Sequence, residues 1–163
     1  MIDPTTALRT AIAPALGLLP PNMRSRPAQA MLIAIALQES GLRHRMQIMG
    51  PAHGLWQFEP IGCEGVLTHH TSQTNAERVC RELLITPEAD AVYTAIVYHD
   101  VLAAAFARLA MWRYPGPLPG ADEIDEGWAQ YIECWRPGKP HRERWDENWA
   151  LAWATIGTEY GES

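Results

Sequence analysis

The chain lacks an excess of positive charge. Its formal net charge is -6, which argues against a nucleic-acid binder driven by bulk electrostatics and against adsorption on anionic membranes. Lys139 is its single lysine; the remaining cations are arginines, a bias that reads as a GC-rich coding genome rather than as mechanism. Cysteine is scarce. Cys63, Cys80 and Cys134 have no paired spacing, which excludes a disulfide framework and a C-x-x-C metal site, and fits inert thiols in a reduced compartment. His69-His70 has no helical H-x-x-x-H partner or cysteine pair beside it, so neither a metal nor a cofactor is expected. Long uncharged apolar runs are missing as well. Pro14 interrupts the first apolar stretch, and His99, Asp100 and Arg108 interrupt the longest, so no membrane insertion is expected. The N-terminus, Met1-Ile2-Asp3-Pro4-Thr5-Thr6, has no basic n-region and no h-region. Synthesis in the cytoplasm without a Sec signal peptide is the expectation. Strand signals are weak, and there is no repeat or low-complexity tract.

What is present suits a packed helical protein. The 163 residues are 47% hydrophobic, enough for one core and one domain over 1–163. The seven tryptophans read mainly as core filling, with Trp56 the best candidate for a platform on which a sugar ring stacks. Pro4 suits a first helical turn, and Pro14 should kink or end that helix. A second helix is predicted from Ser25 to Ser40, with Pro27 in its first turn and Gly41 as its left-handed stop. Residues 42–60 hold no helical period and read as a long loop or short hairpin, a length that suggests function. Shorter helices are predicted near 61–68 and 74–84. A long helix from Pro87 to Tyr114, apolar nearly all round, should run through the middle of the molecule. Asp122 is expected to cap a helix ending near Trp135, and the last helix covers about 141–158.

The chemistry gathers around Glu39. Leu32, Ile35 and Ala36 lie seven, four and three residues before it, on one helical face. Apolar neighbours and the unpaired carbonyls of a helix end both disfavour a charged carboxylate, so its pKa should rise. Downstream, Gly54-Leu55-Trp56-Gln57 supplies a small residue, an aromatic ring and an amide, and Glu59 adds a second carboxylate. Arg43-His44-Arg45 beside Glu39 reads either as substrate contact or as solvated charge. Arg136, Lys139, His141, Arg142 and Arg144 read as solvated surface charge.

Glu39-Ser40 at a helix end, followed after a loop by Gly54-Leu55-Trp56-Gln57, resembles the soluble lytic transglycosylases within the lysozyme-like superfamily. Their pattern is Glu-Ser, then Gly-Leu-Met-Gln; Trp56 stands at the methionine, and a later Tyr-Asn-Ala-Gly segment is not evident here. The segments 41–67 and 135–140 look similar to phage and prophage proteins. The resemblance implies a mainly α, lysozyme-like single domain with a long buried central helix and a loop or short hairpin after the catalytic helix. It implies cleavage of the MurNAc–GlcNAc β-1,4 bond of a peptidoglycan glycan strand. Glu39 would be the general acid and base, with Gln57, Trp56, Ser40 and Glu59 as substrate-binding residues. Action at the bacterial cell wall would follow holin-type release, or the protein would travel in a virion beside other virion proteins. Two alternatives stay open: a muramidase-type hydrolase using Glu39 with Glu59, and a non-catalytic virion module that keeps the fold. Tyr98, Trp128 and Tyr131 are the candidates for an aromatic wall opposite Glu39.

Overall fold

Asp3 opens the first helix by accepting the Thr6 backbone N–H, with Pro4 behind it at a position that needs no donor. The structure is a computed structural model and describes residues 1–161. The last two residues of the expected domain lie outside the described part. The first helix passes Pro14 without ending. Helix α1, Pro4–Ala7, runs into a π-helical turn, Leu8–Ile12, and then into α2, Ala13–Gly17. The wider turn, closed by Ala13 N–H on the Leu8 carbonyl, lets the chain absorb a proline that would otherwise clash one turn back. A short 3₁₀ turn, Pro21–Met23, leads to α3, Arg26–Ser40. Ser25 accepts the Ala28 N–H at its start, and Gly41 ends it at φ 62°, a conformation cheap only without a Cβ.

After the loop come α4, Pro60–Thr68, and α5, Gln73–Glu82. Then follow α6, Ala89–Ala95; α7, Asp100–Trp112; α8, Ile124–Trp135; and α9, Arg142–Glu159. The described residues are mainly helical. Their β pairing is confined to isolated bridges, Met46 with His53 and His53 with Phe58, which make the 42–60 segment a tight irregular loop. No helix among the described residues is long and apolar enough to cross a membrane.

The expected long helix over 87–114 is two helices. No glycine or proline marks the break, only the His99-Asp100 interruption of the apolar run, and tertiary contacts accompany it. Gly54 seats against Ile96 so closely that a Cβ there would lie 2.5 Å from the Ile96 Cγ2. Arg45 pairs with Asp100 and reaches the Val97 carbonyl, which the broken helix leaves open. His99 then restarts the helix by accepting the Leu102 N–H through Nδ1 at 3.3 Å. Asp122 is not the cap of α8. Glu123 takes that place, and its carboxylate folds back to accept the Gly120 N–H at 2.7 Å.

Two helices share the interior. In α7 every residue from Leu102 to Met111 is buried, and α3 is buried over nearly its whole length. Each fully buried Leu or Ile contributes about 1.5–3 kcal/mol. Helix α9 packs along α3, and α8 packs on α9. At that second contact Gly127 lets the Trp149 ring approach; a Cβ would lie 2.7 Å from it. Tyr131, Trp128, Trp145, Trp149 and Trp153 form a connected series of ring contacts, each 5.2–6.0 Å between centroids. This chain return matters for the site, because it brings the start of α9 back to the end of α3.

A candidate active-site cleft at the end of α3

Glu39 sits in the last turn of α3, where buried Leu32, Ile35 and Ala36 line the inner face as the spacing predicts. Its carboxyl group is partly buried and opens into a cleft of about 1310 Å³. Burial pushes its pKa up from the ordinary carboxylate value. Two contacts pull the other way: a hydrogen bond from Tyr131 and the charge of Arg144. The Tyr131 hydroxyl donates to Glu39 Oε1 at 2.6 Å. That leaves Oε2 free to carry a proton. Tyr131 is itself held rigidly, stacked on Trp145 at 5.2 Å with planes 12° apart. Burial and the neighbouring carboxylate both push its phenol well above the ordinary range, so it stays a donor.

The sequence-derived residues divide. Gln57 lines the same cleft as Glu39. Its backbone is left-handed at φ 52°, a strained conformation for a residue with a Cβ. Its side-chain N–H donates to the Gly54 carbonyl at 2.9 Å, which orients the amide and leaves its oxygen free to accept. Glu59 also lines the cleft, exposed, at the N-cap position of α4, yet its carboxylate makes no capping bond. Ser40 does not face the cleft. It is buried, and its hydroxyl donates to the Ala36 and Leu55 carbonyls, at 3.0 and 2.7 Å. It ties the loop to the helix rather than touching a ligand.

Trp56 corrects the expectation of a stacking platform. It is 0% exposed, and its indole N–H donates to the Leu32 carbonyl at 2.9 Å. The ring is a core anchor that pins the loop onto α3. Gly54 is likewise needed for contact with Ile96, not for approach to a ligand. The aromatic side chains that do line the cleft are Phe58, Tyr114, Tyr131 and Trp135. Trp135 donates its indole N–H to the Trp56 carbonyl at 3.0 Å, so the buried and the half-buried tryptophan are joined through backbone. Of the three aromatic candidates, Tyr131 reaches Glu39. Trp128 packs behind it, and the 79% exposed Tyr98 lies elsewhere, beside Thr10 and His99.

The basic runs trade places. In Arg43-His44-Arg45 only His44 lines the cleft, since Arg45 is committed to Asp100. The C-terminal run, expected to be solvated, contributes Arg136, Lys139, His141 and Arg144 to the cleft lining, and Arg113, just after α7, joins them. A polar relay fixes this side: Gln38 donates to the His141 carbonyl at 2.9 Å and accepts from Asn148 at 2.8 Å. Sequence order hides the arrangement, because only the packing of α9 on α3 creates it.

Cys63 and Cys80 are buried, and burial pushes their thiols up to about 12 and about 11; Cys134, against the cleft, is pushed up to about 11. All three stay protonated and unreactive at neutral pH. Among the described residues no group of three or more His, Cys, Asp or Glu side chains could hold a metal ion. The cleft thus combines one poised carboxyl group, a second free carboxylate, oriented amide and phenol groups, and aromatic and cationic walls. No protein-family model, curated protein or solved structure matches the chain.

Proposed function

We propose that the protein cleaves the MurNAc–GlcNAc β-1,4 bond of peptidoglycan as a lytic transglycosylase, on a lysozyme-like helical fold, with Glu39 as acid and then base. The observation that carries the reading is the Glu39 carboxyl group: raised in pKa by burial, gripped on one oxygen by Tyr131 and open to the cleft on the other side. Glycoside cleavage needs an acid that is protonated near neutral pH and aimed at the leaving oxygen, and burial shifts Glu39 in that direction.

In the first step the Glu39 proton passes to the glycosidic oxygen, and the bond from that oxygen to the anomeric carbon breaks. Positive charge develops on the muramic ring beside the new carboxylate. In the second step Glu39 takes the proton of the muramic 6-hydroxyl, whose oxygen bonds to the anomeric carbon. A 1,6-anhydro ring closes, no water is consumed, and Glu39 is protonated again. Tyr131 favours the ionised intermediate state of Glu39, while burial favours the protonated one. Burial is the larger of the two influences, so the net shift is upward. Gln57, held by Gly54, offers its oxygen to a sugar hydroxyl or N-acetyl N–H. The half-buried Trp135, packed on Phe58, supplies an apolar face for a sugar ring. The site would meet its substrate at the cell wall, after holin-type release or from a virion.

A second reading rests on Glu59, a free carboxylate in the same cleft. It would activate water or form a glycosyl intermediate, making the enzyme a hydrolase. Digestion of purified peptidoglycan separates the possibilities. The expected products are anhydromuropeptides, and Glu39→Gln should lower the rate at least about 100-fold with circular dichroism unchanged. Reducing muramic ends, together with loss of activity in Glu59→Gln, would establish the hydrolase instead. A wild-type protein that leaves peptidoglycan intact would point to a non-catalytic virion module.

A further inference from the structure

One cation in the cleft is held in place without a partner for its charge. Arg113 follows the last residue of α7, and one end of its guanidinium abuts Gly65 of α4; a Cβ there would come within 2.8 Å of Nη1. Its Nε is buried and has no hydrogen-bond partner, and among the described residues the side chain joins no ion pair. A buried, unmatched N–H on a charged group is costly, and the fold gives the rest of this guanidinium no ion pair in return, so its Nη groups are what remains for a ligand. Arg136 stands nearby: Cys134 feels the charges of both Arg113 and Arg136. The exposed Arg136 is only loosely paired with Glu133, at 3.5 Å. Both arginines line the cleft that holds Glu39. In a chain of net charge -6, this concentration of cations on one wall favours an anion.

We propose that Arg113, assisted by Arg136, is a carboxylate-binding subsite that reads the acidic substituent of a muramic acid residue. The proposal rests on the peptidoglycan reading above. The sugar backbone of such a strand is neutral. Its acids hang from the muramic lactyl ether, either as the free lactyl carboxylate or as carboxylates of an attached stem peptide. A planar guanidinium positioned against Gly65 carries N–H groups of the kind that carboxylates accept. The cleft would then distinguish peptidoglycan from an uncharged glycan of the same linkage, such as chitin. Arg113 also stabilises the C-terminal end of α7 through its charge, a structural role that any ligand would feel equally.

Titration calorimetry on the Glu39→Gln protein, which binds without cleaving, tests the subsite. Three saccharides of matched length serve as probes: stem-bearing glycan strands, stem-free strands with free lactyl carboxylates, and a chitooligosaccharide. Adding Arg113→Gln is expected to weaken binding of an acid-bearing strand about tenfold and to leave the chitooligosaccharide unchanged. Arg113→Lys should recover part of the loss. A loss confined to stem-bearing strands assigns the stem carboxylates, and one confined to stem-free strands assigns the lactyl group. Equal loss on all three probes, or none on any, overturns the subsite while leaving the peptidoglycan reading intact. If the Arg113-intact protein binds none of the three, the peptidoglycan reading itself fails and the subsite with it.

Discussion

The two walls of the cleft are built differently. On one side Glu39 ends a buried helix, and Tyr131 and Trp145 stand behind it on two further helices. On the other side Gln57 and Glu59 sit on an irregular loop, pinned at a few points by Trp56, Ser40 and Gly54. The helical wall fixes one carboxyl group to within a hydrogen bond. The loop wall offers several polar groups whose partners are backbone atoms of the loop itself. Chemistry that depends on one protonation state belongs on the first wall, and recognition of a variable ligand on the second.

The contrast breaks most visibly at Trp145. Trp145→Ala removes the ring under Tyr131 and is expected to cost about 3–5 kcal/mol in chemical unfolding. A loss below about 1 kcal/mol would mean that the helical wall is not the rigid one. Next comes Tyr131→Phe, which keeps the ring and removes the hydroxyl. It should cost about 1–2 kcal/mol at neutral pH. Because the lost hydrogen bond held the Glu39 pKa down, that pKa should rise further, and the alkaline limb of the pH–rate profile should move to higher pH. An unmoved limb would separate Tyr131 from the titration.

Gln57→Gly tests the loop wall. Relief of a left-handed φ should stabilise by about 0.5–1 kcal/mol while glycan affinity falls. Stability lost instead would show that the amide holds the loop together. Glu39→Gln should give a smaller gain, and one that depends on pH. The folded-state pKa of Glu39 is raised, so the folded protein binds more protons than the unfolded chain between the two pKa values. Stability of the wild type therefore falls as pH rises from the unfolded value, near 4.5, through the folded one. The variant's melting temperature should exceed that of wild type at pH 8, with the margin shrinking towards pH 4.5. Glu59→Gln, at an exposed position, should change stability by less than about 0.5 kcal/mol.

Local signals were legible where the cause was local. Ser25, Pro27 and Gly41 bound α3 because capping is a matter of neighbouring residues. The apolar face under Glu39 follows from helical spacing alone. The break between α6 and α7 was not legible. No glycine or proline marks it, and its causes, Gly54, Arg45 and the restart at His99, act largely across the fold. Trp56 was misjudged for a related reason: an irregular loop has no period from which to tell inward from outward. Arg113, Trp135 and Arg144 lie far from Glu39 in sequence, at the ends of α7 and α8 and in α9, and only the packing of the helices gathers them. The charge of the C-terminal run was visible; its destination was not.

The split between α6 and α7 also has a mechanical meaning. Arg45, His53 and Gly54 each grip that region: Arg45 through Asp100, His53 stacked at 3.8 Å on Tyr93, and Gly54 against Ile96. The loop wall and the α6–α7 junction are therefore expected to open as one cooperative unit. Amide exchange over residues 45–58 and 89–100 should rise together under mild denaturant, well before α3 and α9 exchange. In such a protein the cleft would widen by the melting of one clamp, while the carboxyl group on the opposite wall stayed where it was.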